Sequence, residues 1–378
     1  KEPRSMSTII NRLATVITCH AWNADKSRVA VCPNNNEVKI YKVENGVFEL
    51  EHVLPEHDQV VMGIDWGPIK NRIVTCSQDR NAFVWNYNDA EKVWEPTLVI
   101  LRINRAATKC KWSPREDKFA VASGAKIVSV CYFEEDNDWW VSKHIKKHFS
   151  TVLDLDWHPN NALLVTACAD NVVRICSAFV RGIDKKADFA NGTAFGKKLP
   201  FGTVLKTMDP AGGWTRAVKW SPSGNKLGIM CHDSTVIIID CPEPGDHPMH
   251  VAKYKDLPYR DFIWLTENSI VAVGHAYSPN LWTFDGSNWN YVANLDAKIS
   301  GGGKKLSAMA KFRAMDNQGA GNKSVKIDTK HKNCIGAIQI REKDGDTVKT
   351  FSTSGLDGNF IIWDIEKVKK EAPDVVIV

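Results

Sequence analysis

Six tryptophans recur along the chain at nearly constant spacing, and four of them are followed two residues later by proline. These are Trp66-Gly-Pro68, Trp112-Ser-Pro114, Trp157-His-Pro159 and Trp220-Ser-Pro222. Trp22 and Trp264 extend the ladder without the proline, and the successive intervals are 44, 46, 45, 63 and 44 residues. A period of roughly 45 residues is the length of one four-stranded propeller blade. One such unit cannot bury its apolar face alone, so the repeats must stack against one another. A platform of this kind turns the functional expectation from catalysis toward partner binding.

The repeat carries internal registers that chance periodicity would lack. Nine residues before the tryptophan stands a histidine, His57 before Trp66 and His148 before Trp157. His331 holds the same offset before Ile340, read as the seventh ladder position. Thirteen residues after the tryptophan comes an acid or amide, Asn35, Asp79, Asp170 and Asp233, and the last repeat has Asp357 in its turn. Nineteen after it comes an aromatic or small apolar residue: Tyr41, Trp85, Cys131, Cys176 and Ile239, with Trp282 at eighteen. A short carboxylate in a tight turn accepts backbone N–H groups. A histidine reaching that turn would lock the blade through a buried polar network. His57, Asp79, His148, Asp170, Asp233, His331 and Asp357 are therefore expected to be structural.

Within each repeat, short apolar runs split by turn residues read as strands, for example Ile73-Val-Thr-Cys76 and Ala82-Phe-Val-Trp85. Seven repeats of about 45 residues need about 315 residues, and the chain has 378. The surplus falls in the 63-residue interval, around residues 181–200, and in the 76 residues from Trp264 to Ile340, around 286–330. The whole chain, 1–378, is expected to be one all-β, seven-bladed propeller. An open ring leaves a sheet edge unpaired, so residues 7–16 are expected to supply the outer strand of the last blade, beside Phe360-Ile-Ile-Trp-Asp364.

Ten cysteines invite a disulfide or metal reading. Cys32, Cys76, Cys168 and Cys231 repeat at one blade position, and no C-x-x-C pair occurs, so they read as small apolar core residues of a reducing, intracellular compartment. No cofactor or metal is expected. Lys1-Glu-Pro-Arg4 leads into no long apolar segment, so neither a secretory signal nor a membrane span is expected. Catalytic motifs such as G-x-S-x-G, H-E-x-x-H or a phosphate loop do not occur. Asp154 and Asp156 alternate with leucines and share a strand face, which reads by default as solvated. A net charge of +5 comes from scattered basic clusters, which argues against nucleic acid and for acidic protein surfaces.

The longer insertion places Lys304-Lys-Leu-Ser-Ala-Met-Ala-Lys-Phe-Arg-Ala-Met315 between Gly301-Gly-Gly303 and Asn317-Gln-Gly-Ala-Gly-Asn322. Helix formers flanked by flexible residues predict a short helix between blades six and seven. Leu306, Met309 and Phe312 would share one of its faces, which makes it a candidate for docking in a partner's groove. Packing on its own blade, or no fixed structure, are the alternatives.

The registers and the closing Trp363-Asp364 pair resemble the WD-repeat propeller family over essentially the whole chain. Longer strings go further: Asp79-Arg-Asn-Ala-Phe-Val-Trp85, Leu98-Val-Ile-Leu-Arg-Ile-Asn-Arg-Ala-Ala107, Asn137-Asp-Trp-Trp-Val-Ser-Lys-His-Ile-Lys-Lys147 and His232-Asp-Ser-Thr-Val236. These are similar to the family of propeller subunits of the actin-related protein 2/3 complex, which also carries a helical insert between its last two blades. The resemblance implies a non-enzymatic scaffold in the cytoplasm and cortical actin. Its partners would be the actin-related proteins, the small scaffold subunits, the actin filament and the acidic tails of nucleation-promoting factors. By the same resemblance Leu306, Met309 and Phe312 would reach actin, while Arg102, Arg105, Lys143, Lys146 and Lys147 would suit acidic surfaces. The other reading is a WD-repeat adaptor of another assembly, such as a ubiquitin-ligase substrate receptor.

Overall fold

A computed structural model describes residues 8–189, 192–210, 212–296, 329–345 and 347–371, with residue 377. The described residues form seven antiparallel four-stranded sheets, six of them contiguous in sequence. The inner strands are Cys19–Trp22, Val61–Trp66, Ala107–Trp112, Val152–Trp157, Thr215–Trp220, Tyr259–Thr266 and Ile335–Asp344. Each ladder tryptophan thus sits at or near the far end of an inner strand, just before the turn to the second strand. The proline two residues on removes a backbone donor where pairing has to stop.

Blade seven is built differently. Its three contiguous strands are completed by Thr8–Arg12, which pairs antiparallel with Asn359–Asp364 from Thr8 opposite Trp363 to Arg12 opposite Asn359. The N-terminal segment therefore removes the sheet edge that an open ring would leave. Gly358 makes the close approach possible: it has φ +75°, and a Cβ there would lie 1.8 Å from the Ala14 carbonyl oxygen.

The core is a ring of interfaces. Seven clusters of buried apolar side chains each span two neighbouring blades, as where Ala30, Cys32 and Ile40 of blade one meet Ile64, Trp66 and Trp85 of blade two. Blade seven meets blade one through Phe360, Ile362, Trp22 and Val29. A blade alone would expose both of these faces to water, and this is what makes the ring cooperative.

The two surplus regions resolve differently. The described residues of 181–200 form a loop with one short 3-10 turn, Lys186–Phe189, leading to the outer strand of blade four, Val204–Met208. In the second region, Trp289–Asn294 is the outer strand of blade six, so blade structure reaches past the expected insertion start near 286. Trp289 packs edge-on against Trp264 at 5.9 Å, which is why this stretch belongs to the sheet. Residues 297–328 of the insertion, including Leu306, Met309 and Phe312, lie outside the described residues. After the last strand, the helix Ile365–Glu371 packs Ile365 and Val368 onto the interface of blades six and seven.

Candidate functional site

The register histidines and turn acids form blade locks. His57 Nδ1 meets Asp79 Oδ2 at 2.7 Å, its Nε2 meets Thr75 Oγ1 at 2.8 Å, and the Trp85 indole donates to the same hydroxyl at 3.0 Å. His331, Asp357, Thr353 and Trp363 repeat this arrangement in blade seven, at 3.2, 2.8 and 2.9 Å. Blade four departs from it. His148 Nε2 meets Thr166 Oγ1 at 2.9 Å, but its Nδ1 has no hydrogen-bond partner among the described residues. Asp170 instead pairs with Arg174 at 2.9 Å and accepts the Phe149 N–H. The expectation that this histidine reaches its turn acid is corrected: an arginine four residues on has taken the carboxylate. Asp233, with no register histidine, caps its turn by accepting the Thr235 N–H and lies 3.7 Å from Lys253. Apart from His148, these groups are committed to their turns.

The inner strands line a central channel, and its carboxylates are not solvated as their alternation suggested. Asp154 and Asp156 are both about 5% exposed. The Trp220 N–H donates to Asp156 at 2.8 Å and the Val218 N–H to Asp154 at 3.1 Å. Asp65 accepts the Trp112 N–H at 2.8 Å and Asp261 the Ile338 N–H at 3.2 Å. Each acid thus clamps the next blade's inner strand. Lysines balance them: Lys111 binds Asp156, Lys219 binds Asp261 at 2.6 Å, and Lys109 lies 3.8 Å from Asp154. A cavity of about 240 Å³ lies among Asp65, Lys111, Asp156 and Lys219. These side chains hold one another and the backbone, so the channel is braced by charge pairs.

The excursion before the outer strand of blade four builds a different surface. Phe179, Phe189, Leu199, Pro200 and Phe201 floor a pocket of about 590 Å³, rimmed by Lys143, Arg181, Lys186, Lys197 and Lys198. Lys143 lies over the rings of Tyr132 and Phe201 at 5.2 and 5.9 Å, a cation–π position that keeps its ammonium at the rim. Of the five expected basic contacts, only Lys143 lines this pocket. The Arg102 guanidinium donates to Ser142 O and Oγ. Arg105, Lys146 and Lys147 are exposed in the loops that lead into the inner strands of blades three and four. The pocket's phenylalanines were missed by sequence reasoning, although aromatic residues interleaved with lysines from 179 to 201 are a readable signal.

All ten cysteines are free and buried, and burial pushes the Cys176, Cys231 and Cys241 thiols up to about 12. Among the described residues no group of His, Cys, Asp and Glu could hold a metal ion, and no helix is long and apolar enough to cross a membrane.

Fold and registers together define a WD-repeat propeller. Two family models agree on parts of it: the WD domain, G-beta repeat over residues 48–86, and the WD40 domain of anaphase-promoting complex subunit 4 over residues 110–190. Whole-chain relatives are more specific. Actin-related protein 2/3 complex subunit 1A-B of Xenopus laevis is 45% identical over 360 residues, 93% of this chain and 95% of the relative. Subunit 1A of Arabidopsis thaliana is 42% identical over 374 residues, 96% of this chain and 97% of the relative. Subunit 1 of Schizosaccharomyces pombe is 40% identical over 364 residues, 91% and 95% of the two chains. The chain belongs to the family of subunit 1 of the actin-related protein 2/3 complex.

Proposed function

We propose that the chain is a non-catalytic scaffold subunit of the actin-nucleating actin-related protein 2/3 complex, acting in the cytoplasm at sites of branched actin. The observation that carries this reading is the match, over more than nine-tenths of both lengths, to relatives bearing that subunit's name. A scaffold role is supported by the blade locks and channel clamps, which commit the buried acids and histidines to structure. Its neighbours would be the actin-related proteins and the small scaffold subunits.

Activator contact belongs to the blade-four pocket. Its five cations suit an acidic tail, and its phenylalanine floor suits an apolar side chain within such a tail. Lys146 and Lys147, exposed three and four residues after Lys143, would add positive charge for the same acidic partner. Actin-filament contact is assigned to Leu306, Met309 and Phe312 of the insertion, on the strength of their shared helical spacing. Purification of the full chain with its partners from cell extract tests the scaffold role. Titration with an acidic activator tail tests the pocket: the Lys197→Glu, Lys198→Glu variant should bind at least tenfold more weakly at low salt. Equal binding would remove the pocket from the account.

A further inference from the structure

The six inner strands of blades two to seven share an irregularity with a consequence at one end of the channel. Their ladders shift register between Val61 and Gly63, Ala107 and Lys109, Val152 and Asp154, Thr215 and Ala217, Tyr259 and Asp261, and Ile335 and Ala337. The skipped residue is in every case four before the ladder position, and a bulge of this kind re-aims a side chain. Those residues are Met62, Thr108, Leu153, Arg216, Arg260 and Gly336, and with Thr18 of blade one they line the mouth of the channel. Five blades contribute small, apolar or hydroxyl side chains there. Blades five and six, adjacent in the ring, contribute arginines.

The cavity at this mouth is about 230 Å³ and also takes in Lys109, Asp154 and Asp261. The two acids are already matched, Asp154 by Lys109 and Asp261 by Lys219, and among the described residues no carboxylate pairs with Arg216 or Arg260. Arg260 reaches the thiol of Cys334. Both arginines are half-buried. Burial first, and then repulsion from Arg260, lowers the proton affinity of Arg216, against the weaker pull of Asp154 and Asp261. Beside them His275 is also held below its ordinary range, by burial first and then by Arg260, His232 and Arg216. Asp154 and Asp261 draw on Arg216 across the same cavity, but Lys109 and Lys219 already engage them, so among the described residues the half-enclosed hollow keeps an excess of positive charge, an arrangement that costs stability unless an anion joins it.

We propose that the channel mouth between blades five and six is a phosphate-binding site, with Arg216 and Arg260 as its paired guanidiniums. The charge balance selects phosphate over carboxylate. A phosphate group carries about −1.5 to −2 at neutral pH and so satisfies both guanidiniums, whereas one carboxylate leaves a cation over. The volume falls below the roughly 300–1,000 Å³ of pockets that enclose drug-sized ligands, so the site takes a phosphate group and not a nucleotide whole. The group can arrive as free phosphate or on a phosphorylated side chain. Trp214, two residues before Arg216, is 55% exposed and stacked on His232 at 5.8 Å, and supplies an optical reporter.

The test is titration of the full chain at low ionic strength with inorganic phosphate, followed by calorimetry and tryptophan fluorescence. Acetate at matched ionic strength serves as the competing anion. Saturable binding of one phosphate is expected, at least tenfold tighter than acetate, and weakened at least tenfold by Arg216→Gln with Arg260→Gln. Each single substitution should weaken it to a lesser degree, and a thermal scan shows that each variant is folded. A phosphoserine peptide with neutral flanks distinguishes the sources. Tighter binding of the peptide assigns the site to a modified partner, and no gain over inorganic phosphate assigns it to the free ion. Absence of saturable binding, acetate binding as tightly as phosphate, or undiminished binding by the folded double variant would overturn the proposal.

Discussion

Lys118 and Asp184 form an ion pair with no exposed side-chain surface, joining the second strand of blade three to the excursion of blade four. Asp184 also accepts the Val180 N–H at 2.7 Å and an Asn161 side-chain N–H at 3.0 Å, and Lys118 lies 5.6 Å from the Trp157 ring. The pocket's loop is thereby fixed to the propeller from inside. Removing one partner of such a pair strands the other charge, at a cost of about 3–5 kcal/mol. Lys118→Met and Asp184→Asn should each lower stability by that order in chemical denaturation. The double variant should lose less than the sum, because no charge is left unmatched. Strict additivity would mean that the pair is not coupled.

Acid sensitivity follows from the unlocked histidine of blade four. Burial, with Arg174 adding to it, lowers the His148 pKa from an ordinary 6.5 to about 4. Burial lowers His20 to about 3. The unfolded chain then binds protons that the folded chain does not, so stability is complete above pH 6.5 and falls as pH drops toward 4. For His148 alone the loss between pH 7 and pH 5 is about 2 kcal/mol. Stability of His148→Asn should fall less than wild type over that window, by about that amount. Parallel curves would exclude His148 as a source.

Charge on the exposed loop between the outer strand of blade three and the inner strand of blade four is predicted to govern activator or subunit affinity, not folding. Lys146→Glu with Lys147→Glu should weaken binding in a salt-sensitive manner, with the difference from wild type shrinking as ionic strength rises. Both lysines are exposed, so thermal stability should change by no more than about 0.5 kcal/mol. Unchanged binding at low salt would count against their part in the surface.

For the insertion, Leu306→Ala, Met309→Ala and Phe312→Ala together should reduce branch formation while the complex still assembles. Branching assays with purified complex make the comparison, and unimpaired branching would contradict the assignment to actin.

Much of the propeller was legible because its registers are set by local chemistry. A tryptophan ends the inner strand, an acid caps a turn, and a cysteine fills a narrow core position, each within one repeat. What was not legible depends on neighbouring blades. Asp154 and Asp156 looked solvated because alternation records a strand's faces but not that one of them looks into a closed channel. His148 looked like His57 because the spacing cannot show that Arg174 competes for Asp170. Trp289–Asn294 was read as insertion because Trp264, the ring it packs on, lies in the same blade but three turns away. The bulges that aim Arg216 and Arg260 leave no mark on the residues themselves.

The central claim is most directly tested by purifying the full chain from cell extract under mild salt and identifying what comes with it. Two actin-related proteins and the small scaffold subunits are expected to come with it in equal amounts, as one particle that nucleates branched actin. Recovery of the propeller alone, or with a cullin-linked assembly in place of the actin-related proteins, would contradict it.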